Sequence, residues 1–434
     1  MQAGRARDGR LALAYLAVAA TAFVAAAVVL PSLAGELAGH YYHPRVLALT
    51  HTVTLGWITL TIMGASYQLV PVLLERPVWS ERLARWQLGA ATVGTAGIVA
   101  HFFVAEWRGL VWAAGVVALV VAAHVLNIAM TLRGLRMWTF TTIMIVVALV
   151  GLGLTTVAGV ALGLDHVIPF VPWDFFPRLH AHVHLALLGW VLPMIVAVGA
   201  RVYPMFLLAP PPAARSLRIQ AAGVVTGAPL VVAGLVSGTS LVAVGAIVVG
   251  IAVAAHLASV VAMLRTRRRR TLDWGLVFVV TGSAFLVPAT AVGLGFAFDL
   301  FAGSRLAVTY ATLIVGGWVS LTIAGMMLKI VPFLVWYVAY GDRVGRQPVP
   351  MVAELCPAAG EGTAYGLLTL GMVGLSGAVF AGSAALIRLA ALVVAAGAVV
   401  FAATLARVLM HLAPATVAGA TAPGSLRRRR ARGP

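Results

Sequence analysis

The chain has one cysteine, one lysine and few acidic residues, and each shortage narrows the kinds of protein it can be. The single cysteine, Cys356, excludes an intrachain disulfide and a thiolate cluster, so any metal must be held by imidazole, thioether or oxygen ligands. Charged residues make up only 10% of the 434 and hydrophobic residues 62%, with a mean hydropathy of +1.02. These proportions indicate a protein whose solvent is the lipid bilayer.

The positive charge of the chain is almost entirely arginine. Thirty Lys and Arg residues stand against 12 Asp and Glu, for a formal net charge of +18, and Lys329 is the only lysine. The arginines lie in short segments between apolar runs, where they orient membrane helices. We therefore expect no nucleic-acid partner, although a soluble protein of this charge would suggest one.

Apolar runs of spanning length predict an all-α membrane protein of about twelve transmembrane helices, forming a single polytopic domain over residues 1–434. The runs begin near residues 11, 46, 86, 109, 137, 178, 216, 241, 272, 305, 362 and 386. Arginine-rich segments alternate with acidic and aromatic ones, which predicts that both termini are cytoplasmic. We expect a bacterial-type inner (cytoplasmic) membrane, with the basic tail, residues 412–434, contacting anionic lipids.

A segment of the second span recurs in the sixth. PRVLALTHTVTLGW at 44–57 and PRLHAHVHLALLGW at 177–190 are identical at seven of fourteen positions, and a weaker copy, SRLAVTYATLIVGGW at 304–318, begins the tenth span. The three terminal tryptophans are 133 and 128 residues apart, which is the length of four helices. We therefore predict three pseudo-symmetric four-helix repeats, over about residues 11–133, 137–265 and 272–411.

Histidines lie at one depth in the first two copies. His51 and His184 each follow an arginine, Arg45 or Arg178, by six residues, which is about 9 Å along a helix. Polar side chains inside the bilayer are costly and normally face the bundle interior, so several at one level suggest a functional site. The candidates are His51, His180, His182 and His184.

Two kinds of site fit this spacing. His182 and His184 point to opposite sides of a helix, whereas His180 and His184 share a face. One interpretation is haem held by axial imidazoles on facing helices, most simply His51 with His184, with the two arginines one level outward beside the propionates. The other is chelation of copper or zinc by His180 and His184.

At this point the sequence resembles the catalytic subunit (subunit I) of haem-copper oxidases and nitric oxide reductases, over all twelve spans as architecture. HVHLALLGWVLPMIVAVGARVYPMF at 182–206 looks like that family's two-histidine helix, and THTVTLGWITLTIMGASYQLVPVLL at 50–74 looks like its second span. The resemblance implies one or two haem b groups, with His182 on a high-spin haem and with His184 and His51 on a low-spin haem. It also implies a respiratory electron donor, quinol or cytochrome c, and additional subunits.

The sequence departs from the family's pattern in two respects. The two-histidine helix is the sixth span instead of the tenth, which has Tyr310 and Thr312 where histidines would fall, and no adjacent His-His pair exists to hold a distal copper. We therefore expect a haem-binding electron carrier without a standard oxygen-reducing centre, with copper only as an alternative. Two further alternatives are a reductase of O2 or NO whose atypical site includes Tyr310, and a transporter or metal permease lined by HAHVH.

A polar residue comes eleven positions after each of the three tryptophans, near the cytoplasmic end of the span. These residues are Gln68, Arg201 and Lys329. A ring of such side chains would line a proton or substrate path. The alternative is that the two cations extend to the inner headgroups.

Overall fold

The computed structural model describes residues 9–135 and 137–413. Over these residues the chain is helical, with short connections and no strand. Residues 1–8, Arg136 and the basic tail from residue 414 onward lie outside the described residues.

Twelve long helices, numbered α1 to α12 in chain order, follow one another in the described part of the chain. Their bounds are Arg10–Gly39, Pro44–Leu74, Glu81–Phe103, Trp107–Leu132, Phe140–Val167, Phe175–Leu207, Ala214–Ser237, Leu241–Thr266, Trp274–Ala297, Ser304–Arg343, Ala358–Ala381 and Ala384–Leu412.

Eleven of the helices in the described residues are long and apolar enough to cross a membrane, which identifies a multi-pass membrane protein. The sequence predicts about twelve, and the helix that falls short is α3. It occupies the expected place and is 23 residues long. Its apolar part contains Gln87 and His101 among several glycines and threonines, which lower its hydropathy.

The helices α2, α6 and α10, which contain Trp57, Trp190 and Trp318, are the most buried of the bundle. We call them the tryptophan helices. In α2 and in α6, 61% of the apolar segment is buried, and in α10 78%, against 22–50% in the other apolar spans. The three tryptophans are each at most 2% exposed. The core of the bundle therefore lies where the sequence motif recurs.

Each tryptophan helix contains a π-helical segment around its tryptophan. The segments are Thr52–Thr59, Leu185–Val191 and Thr312–Ser320. A π-helical segment widens the turn by one residue and frequently occurs at functional sites. This feature was not expected from the sequence.

The remaining helices surround this core. The pairs α3 and α4, α7 and α8, and α11 and α12 pack side by side as hairpins, and α1 packs against both α2 and α12. The first and last spans therefore meet, which closes the bundle.

The helices α5 and α6 approach each other closely at Gly151 and Gly189. A Cβ atom on Gly151 would overlap the backbone carbonyl of Gly189, so a side chain at position 151 would force the helices apart. Gly189 belongs to the π-helical segment of α6. This contact therefore packs α5 closely against the helix that contains His180, His182 and His184.

Candidate functional site

Two of the predicted site histidines lie directly before a π-helical segment. His51 is the last residue of the α-helical stretch Pro44–His51, and His184 is the last residue of Phe175–His184. In α10 the same position is occupied by Ala311. The two imidazoles therefore lie where the backbone changes its pitch.

The three histidines proposed as ligands use the same ring nitrogen for a hydrogen bond to the backbone. Nδ1 of His51 lies 2.8 Å from the Leu47 carbonyl oxygen, and Nδ1 of His184 lies 2.8 Å from that of His180. Nδ1 of His182 lies 3.1 Å from the carbonyl oxygen of Thr155 on α5. A carbonyl only accepts, so Nδ1 carries the proton in each neutral ring and Nε2 keeps its lone pair. This is the tautomer that an Nε2-bound metal or haem iron requires.

His182 faces α5. A Cβ atom on Gly159 of α5 would lie 2.9 Å from Cε1 of His182, so the absence of a side chain at position 159 leaves the space that the imidazole occupies. His51 is also an electrostatic neighbour of the His182 imidazole. This contact favours His182 as the partner of His51, whereas the simplest pairing expected from the sequence was with His184.

His184 faces the third tryptophan helix. The His184 ring is stacked with the ring of Tyr310 on α10, with centroids 6.1 Å apart and planes inclined by 25°. His182 and His184 thus contact different neighbouring helices, α5 and α10 respectively. The ring of Tyr310 is also bordered by Phe296 of α9, with centroids 6.0 Å apart.

His180 has a partner of its own. The hydroxyl of Tyr41 lies 3.0 Å from Nε2 of His180, so chelation by His180 and His184 would require that bond to break. No group of three or more His, Cys, Asp or Glu side chains in the described ranges is arranged to hold a metal ion.

Both arginines predicted beside the haem propionates are paired with carboxylates of the chain itself. Arg178 lies 2.8 Å from Asp165 of α5, with both side chains largely buried, and Asp165 also accepts hydrogen bonds from two backbone N–H groups. Arg45 lies 3.3 Å from Glu36, and its side chain is 50% exposed. Of the two, Arg45 is the more accessible cation.

The three polar residues that follow the tryptophans, Gln68, Arg201 and Lys329, have different surroundings. Lys329 pairs at 2.6 Å with Asp273, the residue directly before α9, and lies 4.8 Å from the centroid of the Phe206 ring. Arg201 is exposed and Gln68 is half-buried. Among the described side chains, no hydrogen bond or ion pair links any two of the three.

A buried polar network in the first four helices was missed by sequence reasoning. The Tyr67 hydroxyl donates to Gln87, and it lies 3.3 Å from Nδ1 of His124 and 3.5 Å from the amide nitrogen of Asn127. All four side chains are at most 5% exposed. One signal was present in the sequence: Gln87 precedes a second buried glutamine, Gln220, by 133 residues, the offset of the first two tryptophans.

In comparisons with known proteins, neither a model of a protein family nor a curated protein matches the chain. The fold and the site together define a multi-pass helical membrane protein with three inward-facing imidazoles near one end of its core.

Proposed function

We propose that this chain is a haem-binding redox protein of the cytoplasmic membrane, with one haem b held between α2 and α6 by His51 and His182. The observation that supports this proposal most directly is the shared tautomer. In each candidate ligand Nδ1–H donates a hydrogen bond to a backbone carbonyl, which leaves the lone pair of Nε2 available to coordinate iron. When bound, the haem would supply one-electron transfer.

The side chains on each side of the pair fit this role. Phe102 packs on the His51 ring with centroids 4.8 Å apart, and Gly159 leaves space beside the His182 ring. The residues fix both rings in orientation and surround them with apolar contacts, which is how a protein sets the reduction potential of an axially ligated iron. Arg45, half exposed, is the cation available to a propionate.

The architecture that accompanies this proposal is three repeats of four helices with both termini in the cytoplasm. Three observations support it. The tryptophan motif recurs, each tryptophan helix has a π-helical segment at the same place, and each tryptophan helix is followed by a helical hairpin. The donor would be a quinol or a cytochrome c.

The test is the visible spectrum of the detergent-purified protein, oxidised and dithionite-reduced, with iron and pyridine haemochrome quantitation. A sharp reduced b-type band that is lost in His51→Ala and in His182→Ala, and kept in His411→Ala, is the expected result. His411 is a suitable control because it is exposed and pairs with Tyr340 far from the cluster. A colourless, iron-free protein from haem-replete cells would overturn the proposal and favour a transporter.

Reduction of a gas, O2 or NO, is a second candidate, favoured by the stacking of His184 on Tyr310. It requires a second haem or metal on His184 with an open coordination position. Carbon monoxide added to the reduced protein distinguishes the candidates: a spectral shift that depends on His184 supports the reductase, and an unshifted spectrum supports the carrier.

A further inference from the structure

The connection between α8 and α9, residues 267–273, carries the densest positive charge among the described residues. It reads RRRRTLD and follows Arg265 of α8, so five arginines fall within six residues. Two more, Arg215 and Arg218, lie in the first turns of α7, which packs side by side with α8. Against these seven cations, the only acidic residue between positions 202 and 298 is Asp273. This end of α7 and α8 is therefore strongly cationic.

Two of these arginines are bound by the chain itself and hold the connection in place. The Arg267 guanidinium donates to the backbone carbonyl of Leu264, and the Arg269 guanidinium pairs with Asp273 at 3.2 Å. The backbone N–H of Arg269 also donates to the carbonyl of Leu207, the last residue of α6. The connection is therefore docked on the end of the helix that contains the candidate ligands.

The other five arginines are exposed, and in the part of the chain that the structure describes their guanidinium groups have no hydrogen-bond or ion-pair partner. We call them the arginine patch; they are Arg215, Arg218, Arg265, Arg268 and Arg270. Along the connection, arginines bound by the chain alternate with arginines of the patch. Like charges held near one another repel, so the patch favours an anion that comes from outside the chain.

The position of the patch indicates which anion it meets. Arg215 is the second residue of α7 and Arg265 the last but one of α8, so these charges lie where two spans leave the bilayer. Met205 and Leu208, at the end of α6, are 59% and 61% exposed and offer apolar surface beside the connection. Clusters of about four to eight basic residues directly after a span attract the anionic lipids of the cytoplasmic leaflet. A phospholipid matches both features, because its phosphate meets the guanidinium groups and its acyl chains meet the apolar side chains.

We infer that the arginine patch binds anionic phospholipid headgroups of the cytoplasmic leaflet and thereby anchors the end of α6. The inference takes its orientation from the proposed architecture and does not depend on haem. The guanidinium groups donate charge-assisted hydrogen bonds to the phosphate oxygens. This site is separate from the basic tail of the chain.

Binding is tested by native mass spectrometry of the detergent-purified protein, titrated with phosphatidylglycerol and, separately, with phosphatidylcholine of the same acyl chains. Phosphatidylglycerol should bind more tightly, because only its headgroup carries a net negative charge. In the triple variant Arg265→Gln, Arg268→Gln and Arg270→Gln, its affinity should fall about fivefold for each charge removed. The unfolding temperature in lipid-free detergent should stay unchanged, since these three side chains have no partner in the described residues, and this measurement shows that the variant folds.

The matched control is the triple variant Arg76→Gln, Arg82→Gln and Arg85→Gln, which removes the same charge from exposed positions before and within α3. Its affinity for phosphatidylglycerol should match that of the parent protein. Equal losses in the two triple variants, or equal binding of the two lipids, would overturn the inference. Displacement of phosphatidylglycerol by an equal concentration of glycerol phosphate would also overturn it, because the site would then bind a soluble anion. Haem-free protein that binds phosphatidylglycerol as expected would contradict the proposed function alone.

Discussion

Trp190 of α6 donates its indole N–H to the hydroxyl of Thr59 on α2 across 3.3 Å. In the same way, Trp57 of α2 donates to Ser320 of α10 at 3.2 Å. Each acceptor stands two residues after the tryptophan of its own helix, so the bonds link the tryptophan helices in sequence. The corresponding position in α6 is Leu192, which has no hydroxyl, and the series is open there.

The Thr59→Val substitution tests how much the hydrogen bond between Trp190 and Thr59 contributes to the stability of the protein. It removes the acceptor and leaves the N–H of Trp190, a side chain 2% exposed, without that bond. Leaving a buried donor unpaired costs about 1–3 kcal/mol, so we expect the free energy of unfolding in mixed detergent micelles to fall by that amount. Thr54→Val is the control, because the Thr54 hydroxyl bonds only the Thr50 carbonyl of its own helix. Equal losses in both variants would refute the link.

The spans were predictable because hydropathy is a local property of the sequence, and the tryptophan motif was predictable because it recurs with its proline and arginine. The π-helical segments were not, since one extra residue in a helical hydrogen-bond pattern leaves no mark in composition. The choice between His182 and His184 as the partner of His51 was also not predictable from the sequence. Helical periodicity places His182 and His184 on opposite faces, but which face meets α2 depends on how the helices rotate against one another.

The partners of the ion pairs were also not predictable from the sequence. Asp165 lies in the last turn of α5, where it meets Arg178. The sequence indicated the depth of Arg178 but not its partner, because the pair is formed across a connection of irregular backbone.

The Gly159→Ala substitution tests the space beside His182. The added methyl group would lie 2.9 Å from Cε1 of the imidazole and would push the ring from its position against Thr155. Loss of a group that orients a metal-bound histidine lowers affinity about 10- to 100-fold, so we expect haem content per protein to drop. Gly153→Ala on the same helix is the matched control, because no atom lies within 4 Å of its added Cβ. Equal haem content in the two variants would contradict this account.

Lys329, the only lysine of the chain, forms a partly buried ion pair with Asp273, with side chains 18% and 25% exposed. Removing one partner, as in Lys329→Met, leaves a partly buried carboxylate with less compensation, so we expect a loss of about 1–3 kcal/mol after allowance for solvent screening. The double variant Lys329→Met with Asp273→Asn should recover part of it. Glu81→Gln, in an exposed pair with Arg85, should cost at most about 1 kcal/mol in the same unfolding assay. A similar cost for both single variants would refute the distinction.

Tyr41 lies in the connection between α1 and α2, and burial raises the pKa of its phenol above the ordinary value of 10. Below that value both the folded and unfolded chains keep the proton, so the shift has no effect on stability. Above it the unfolded chain ionises first, and the folded state therefore loses stability as the pH rises toward the folded pKa. The difference in phenolate absorbance between the parent protein and Tyr41→Phe should show a midpoint above 10 for the folded chain. The same difference in denaturant is the control, with a midpoint near the ordinary value, and a folded midpoint at or below the denatured one would show that burial does not govern this phenol.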